Sequence, residues 1–264
     1  MKQLLVVLSI LCLWGVSALA ATERTWRLGA ADGEHLDYRL RWLGVTAADA
    51  TLQLQRKNGS DYAAKATLST IAGARLLKTI DETLTADGQE RDGHFAAHHF
   101  VKDQLRGDQR KWTSFLFDRE MHQVFRRHRP QEDKAEERLI IPVESALVTD
   151  PLSALYALRA WPELMSGQRL QRTIVDGEKS FCLNISIGGS QQWQSAIGSF
   201  RAFSIQIAVE NSELFRQRGP IQMLVTDDAR RIPLQIEAQL SIGAVVAELV
   251  GFSDGRGESR RSAE

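Results

Sequence analysis

The chain has 264 residues, 43% of them hydrophobic and 25% charged, which excludes both a disordered polymer and a bundle of membrane spans. Lys plus Arg and Asp plus Glu number 33 each, so no basic surplus points to a nucleic-acid partner. The length is enough to bury a sizeable core, in one large β domain or two small ones.

Residues 1–20 read as an export address. Lys2 precedes a thirteen-residue apolar run, Leu4 to Val16, and Ala18-Leu19-Ala20 has the small-x-small form after which signal peptidase cuts. The run is shorter than the roughly 20 residues a bilayer span needs. A lipoprotein signal would want a small residue before Cys12, where Leu11 stands. The expected products are a cleaved signal peptide, 1–20, a single β-rich domain, 21–250, and a disordered tail, 251–264, with no membrane span left after cleavage and a periplasmic location. Beyond the signal the chain keeps one cysteine, Cys182, so no internal disulfide is available and burial must hold the fold. Cys182 reads as an inert buried thiol, with a reactive thiol or dimer link as the alternative.

The dominant period is two, the mark of strands with one buried face. Leu36, Tyr38, Leu40 and Trp42 form one such row, and Leu52 and Leu54 continue it after a bend at Ala47-Ala48. Asn58-Gly59 supplies a tight hairpin turn into Tyr62, Ala64, Ala66 and Leu68. Ile71 to Thr85 fits helix and strand about equally. Phe115 and Phe117 lead to a turn near Asp118-Arg119-Glu120 and a return strand through Val124. Arg126 to Arg138, charged in both signs around Pro130, reads as a mobile solvated loop.

Asp150 followed by Pro151 starts a helix, because the carboxylate can accept from first-turn amides and Pro suits the first helical position. Leu152, Leu155, Tyr156 and Leu158 share one side, and Pro162 ends the pattern. Val175-Asp176-Gly177 is a hairpin signal. Phe181, Leu183, Ile185 and Ile187 alternate until Gly188-Gly189, and Phe203 to Val209 alternates again. Six apolar residues then occupy every second position from Ile232 to Ile242. A helix would scatter them round its circumference, whereas a strand puts all six on one side. Pro233 assigns that end to an edge or a strand start, and Gly243 permits a bend into Ala244 to Val250. The expected fold is mainly β: a strongly curved antiparallel sheet, an open or partial barrel, with one short helix packed on it.

Motifs that carry chemistry are weak. His94 and His98 could bind zinc only on a helix, and Phe95 stands where a metalloprotease needs Glu. Asp227 and Asp228 are adjacent and read as a turn rather than an acid/base pair. No Gly-x-Ser-x-Gly elbow occurs, and Gly177-Glu178-Lys179-Ser180 breaks the phosphate-loop order. No catalytic residue, metal or cofactor is assigned, so the expectation is a non-enzymatic protein, with a hydrolase as the minor alternative.

Asp150 to Arg159, the Val175-Asp176-Gly177 turn and the stretch from Asp228 to Leu249, with Arg231-Ile232-Pro233 and Ile242-Gly243, together resemble the exported bacterial proteins of the domain of unknown function 3108 family. Met223-Leu224-Val225 departs from it, since such proteins often carry a Trp before the acidic turn. The resemblance implies a periplasmic β-rich protein with no established activity, and it transfers no catalytic residue. Two functions follow as expectations. One is binding of a lipid or other apolar or amphipathic envelope molecule in the concave face, lined by Leu155, Leu158, Ile232, Leu234, Ile236 and Leu240, although most of these residues read better as a filled core. The other is a protein-interaction module in envelope assembly or secretion that offers its sheet edges to an envelope protein partner.

Overall fold

The alternating segments fold as antiparallel strands, and the computed structural model describes residues 30–57, 59–72, 79–91, 93–144, 147–209, 219–240, 242–255 and 257–262. The signal peptide and its cut after Ala20 lie outside the described residues, as do positions 73–78 of the ambiguous stretch. In chain order the elements are β1 (Glu34–Trp42), β2 (Val45–Lys57), β3 (Asp61–Thr70), β4 (Ile80–Arg91), β5 (His94–Arg106), β6 (Gln109–Asp118), β7 (Gln123–Arg129) and β8 (Glu137–Pro142). The helix α1 (Pro151–Arg159) follows, then β9 (Arg169–Asp176), β10 (Lys179–Ser195), β11 (Gly198–Val209), β12 (Ile221–Thr226), β13 (Pro233–Gln239), β14 (Ala244–Ser253) and β15 (Ser259–Arg261).

The strands form one antiparallel sheet in the order β8-β7-β6-β5-β4-β3-β2-β1-β14-β13-β12-β11-β10-β9, with β15 paired to β14 off this path. The sheet curls until its β9 end meets β5, where Lys102 Nζ stands 2.7 Å from Asp176 Oδ1. The segment entering α1 covers the β9 edge through a parallel bridge of Thr149 with Ile174. Val175 N–H donates to the Thr149 carbonyl at 2.9 Å.

Inside the curl lies α1. Asp150 caps it by accepting from the Leu152 and Ser153 amides at 2.9 Å each, as the Asp-Pro start predicts. Seven of its nine residues are buried, so it behaves as a plug packed on β3, β4, β5 and β9. Leu152, Tyr156 and Ala157 join a cluster with Leu54, Tyr62, Phe95, Phe100, Phe115 and Val124. Ala154 and Leu158 join a second with Ile174, Phe181, Ile185, Ile205 and Met223. A third cluster ties β1, β11, β13 and β14 through Leu36, Tyr38, Ala202, Leu234 and Leu249. Each large side chain buried this way contributes about 1.5–3 kcal/mol, and no disulfide supplements it among the described residues.

Four local expectations are corrected. No bend interrupts β2 at Ala47-Ala48; the chain turns earlier, at Leu43-Gly44, where φ is 51° and 80°. Gly188-Gly189 does not end β10 but shifts its register against β11 between Ile187 and Ser190. The stretch from Arg126 to Arg138 is loop only over 130–136: β7 and β8 take its two ends and pair with each other, and Arg126 is buried because it lies on the inward row with Val124. The tail is ordered in part, since β14 runs to Ser253 and β15 pairs with it. Charged side chains hold that end: Arg230 reaches Glu258 at 2.8 Å and Arg260 lies over the Phe200 ring at 5.5 Å.

Candidate functional site

The densest polar constellation is built by α1 and is closed to solvent. Arg159, on the last turn, is fully buried with Glu34 of β1, and the two make a bidentate pair at 2.7 and 2.6 Å. Arg159 Nε also donates to the Arg231 carbonyl at 3.0 Å and Nη2 to that of Arg230 at 3.1 Å. Burial works against the charge, but the Glu34 carboxylate overrides it and holds the guanidinium above its ordinary range. Arg231 has a left-handed φ of 47°, and its guanidinium donates to the carbonyls of Arg159 and Trp161 just past the helix. The turn before it is tied by Asp228, which accepts from the Arg230 and Arg231 amides. Thus Asp227-Asp228 is a turn, with Asp227 held by Ser190 and Arg201.

At the other end of α1, Ser153 Oγ and Tyr62 Oη are 2.6 Å apart. Asp150 Oδ2 and Tyr156 Oη are buried with no hydrogen-bond partner among the described residues. Burial raises the Asp150 carboxyl to about 6, against the pull of its bonds from Ser153 and Leu152. Burial also pushes the Tyr62 and Tyr156 phenols up. Asp150, Ser153 and Tyr62 keep almost no exposed surface. They fix the plug.

The histidines lie along β5, where His94 and His98 are exposed and about 13 Å apart along an extended chain. Among the described residues no group of three His, Cys, Asp or Glu side chains is placed to hold a metal. Cys182 is half-buried on β10 opposite Thr173.

The six candidate ligand residues are not gathered in one place. Leu158 belongs to the second cluster, with Leu155 and Ile236 packed at its margin. Ile232 and Leu234 sit in the third, and Leu240 is exposed at the end of the β13 row. The helix α1 packs on β3, β4, β5 and β9, whereas Ile232 and Leu234 pack among side chains of β1, β11 and β14. Glu34 carried no sequence signal, because its partner Arg159 lies 125 residues away.

The open surfaces are elsewhere. A polar trough crosses the outward faces of β2–β5, with Gln53, Gln55, Lys65, Asp87 and Gln89 on its walls. The β8 edge is bare: β7 pairs one side, and among the described residues no strand pairs the other. Leu139 and Ile140 are exposed along it.

A curled antiparallel sheet closed on a buried helix defines a β-barrel-like protein. The chain belongs to DUF3108, a family of proteins of unknown function whose model matches residues 37–250. No curated protein matches it. Among solved structures it is similar to a beta-barrel-like protein of the domain of unknown function DUF1849 from Brucella abortus, with a TM-score of 0.57 at 10% identity, covering 86% of this chain and 99% of that one. A protein from Bacteroides fragilis described as exported, with a YmcC-like fold, gives a TM-score of 0.37 at 9% identity, covering 84% and 96%. One from Parabacteroides distasonis described as a lipoprotein gives 0.32 at 7%, covering 84% and 95%. At such identities the first likeness shows the fold alone. No helix among the described residues is long and apolar enough to cross a membrane.

Proposed function

We propose that the protein is a non-enzymatic periplasmic protein that binds an extended segment of another envelope protein along β8. The bare edge of β8 carries this reading. Its backbone donors and acceptors on that side are open to strand addition, and such pairing supplies affinity while alternate side chains supply selectivity. Edge strands are normally guarded by charge or proline; here Glu137, Arg138 and Pro142 stand at the ends, and the middle is Leu139-Ile140-Ile141. The opposite edge, β9, is already covered by Thr149 and held to β5 by Lys102. The periplasmic location is supported by the export signal read in residues 1–20. The non-enzymatic reading is supported by the closure of the Asp150 constellation to solvent.

A photo-crosslinking residue placed at Ile140 and expressed in the native cell tests this. The expected result is a discrete adduct at position 140 that is missing when the residue is placed at Leu116, which is equally exposed on the face of β6. No adduct, or the same adducts at both positions, overturns the reading.

A further inference from the structure

Two neighbouring turns at one rim of the barrel break the usual rule of turn composition. The β1–β2 turn is Leu43-Gly44, left-handed at both positions, a geometry that selects Asn-Gly in hairpins. A leucine there bears steric cost, yet its side chain stays 59% exposed. The β13–β14 turn beside it carries Leu240 and Ile242, both exposed. The turns are joined, since Trp42 Nε1 donates to the Ile242 carbonyl at 2.8 Å and Leu43 Cδ2 lies so close over Gly243 that a Cβ there would clash. Trp42, Leu43, Val45, Leu240 and Ile242 make up five of the eleven exposed large apolar residues among those described.

We propose that these two turns form a wedge that inserts into the interfacial layer of a phospholipid bilayer. Three observations favour lipid over a protein partner. The tips are convex, lying beyond the last paired residues Trp42 with Val45 and Gln239 with Ala244. Residues 42–46 and 240–244 contain no charged side chain. Several of their polar groups are met internally: the Leu240 amide donates to the Gly243 carbonyl at 2.9 Å, the indole to the Ile242 carbonyl, and Arg41 Nη2 to the Gly44 carbonyl at 3.1 Å. That internal satisfaction is what a water-poor layer demands of a backbone, and a Trp at the base suits the headgroup level. Charge is complementary too. Arg41 stands directly behind the uncharged tip, loosely paired with Glu248 at 3.9 Å, and can meet lipid phosphate. The wedge does not involve the β8 edge.

Co-sedimentation of the exported protein, purified without detergent, with vesicles of phosphatidylethanolamine and phosphatidylglycerol tests the wedge. The double variant Leu43→Asn/Ile242→Ser is expected to lose at least about tenfold in partitioning. Its melting temperature should be equal or higher, because Asn suits the turn better than Leu. Arg41→Gln should weaken binding to anionic vesicles more than binding to purely zwitterionic ones. The proposal is overturned if wild-type protein stays in the supernatant, or if the double variant binds as well as wild type. It is equally overturned if the patch proves to hold a wild-type dimer that the double variant dissolves while neither form binds vesicles.

Discussion

Arg159 and Arg231 exchange hydrogen bonds, side chain to backbone in both directions: Arg159 Nε donates to the Arg231 carbonyl at 3.0 Å, and Arg231 Nη1 to the Arg159 carbonyl at 3.2 Å. Two like charges tolerate this closeness because Glu34 neutralises the first and the carbonyls at the end of α1 present the negative end of a helix dipole to the second. The exchange fixes the plug helix to the start of β13, and Glu34 extends the link to β1. Three distant parts of the chain therefore share one buried polar centre.

Arg159→Met should destabilise the protein by about 3–5 kcal/mol, because it strands a buried carboxylate and frees two carbonyls. Adding Glu34→Gln should recover part of that loss, since the residual charge disappears. Denaturant midpoints of the wild type, both single variants and the double variant check this. Simple additivity of the two changes would show that the pair is not coupled.

Asp150 makes stability depend on pH in the direction opposite to an ordinary capping carboxylate. The folded protein holds its proton up to about pH 6, the unfolded chain only to about 3.9. Between those values the folded state binds more protons, so stability falls as pH rises through the window. Asp150→Asn keeps a capping oxygen and removes the titration. Relative to that variant, wild type should lose up to about 3 kcal/mol on going from about pH 4 to about pH 7. Melting curves of both proteins across that range read it out, and a constant difference would contradict the assignment.

Legibility in the sequence followed how directly a residue's neighbours determine its environment. The Asp150 cap and the β10 row were readable because amide capping and period-two burial are local effects. The sheet order was not, since pairing β1 with β14 joins positions about 200 residues apart in a way no local pattern marks. The Leu43-Gly44 turn was missed because Leu is a poor turn former, and the tail was read as disordered because its polar residues gave no hint that Arg260 and Glu258 find partners in the body. The candidate ligand row shows a third limit. Alternation says which side chains share a face, but not whether that face meets a cavity or other side chains.

Glycine meaning is position-specific in the same way. At Gly88 the β4–β5 register shifts, and a Cβ would lie 2.1 Å from the Ala96 carbonyl oxygen, a backbone atom that cannot step aside. At Gly189 the nearest atom is the Ser166 hydroxyl at 4.0 Å. Gly88→Ala should therefore cost roughly 1–3 kcal/mol, whereas Gly189→Ala should stay within about 0.5 kcal/mol of wild type. Chemical unfolding of the two variants separates them, and equal losses would mean that the bulge relaxes freely.

The β8 edge makes a prediction in which stability and binding part company. Ile140 is 54% exposed and supports no core cluster, so Ile140→Lys should leave the denaturant midpoint within about 0.5 kcal/mol of wild type. A lysine in mid-edge is also the device by which sheets repel an added strand, because the incoming chain would have to desolvate the ammonium beside its own backbone. The variant should then abolish the adduct formed by a crosslinker at the neighbouring Leu139. An undiminished adduct in a stably folded Ile140→Lys protein would mean that the partner meets β8 by contacts other than strand addition; an adduct lost together with the fold would point to an Ile140 that the core needs, against its exposure.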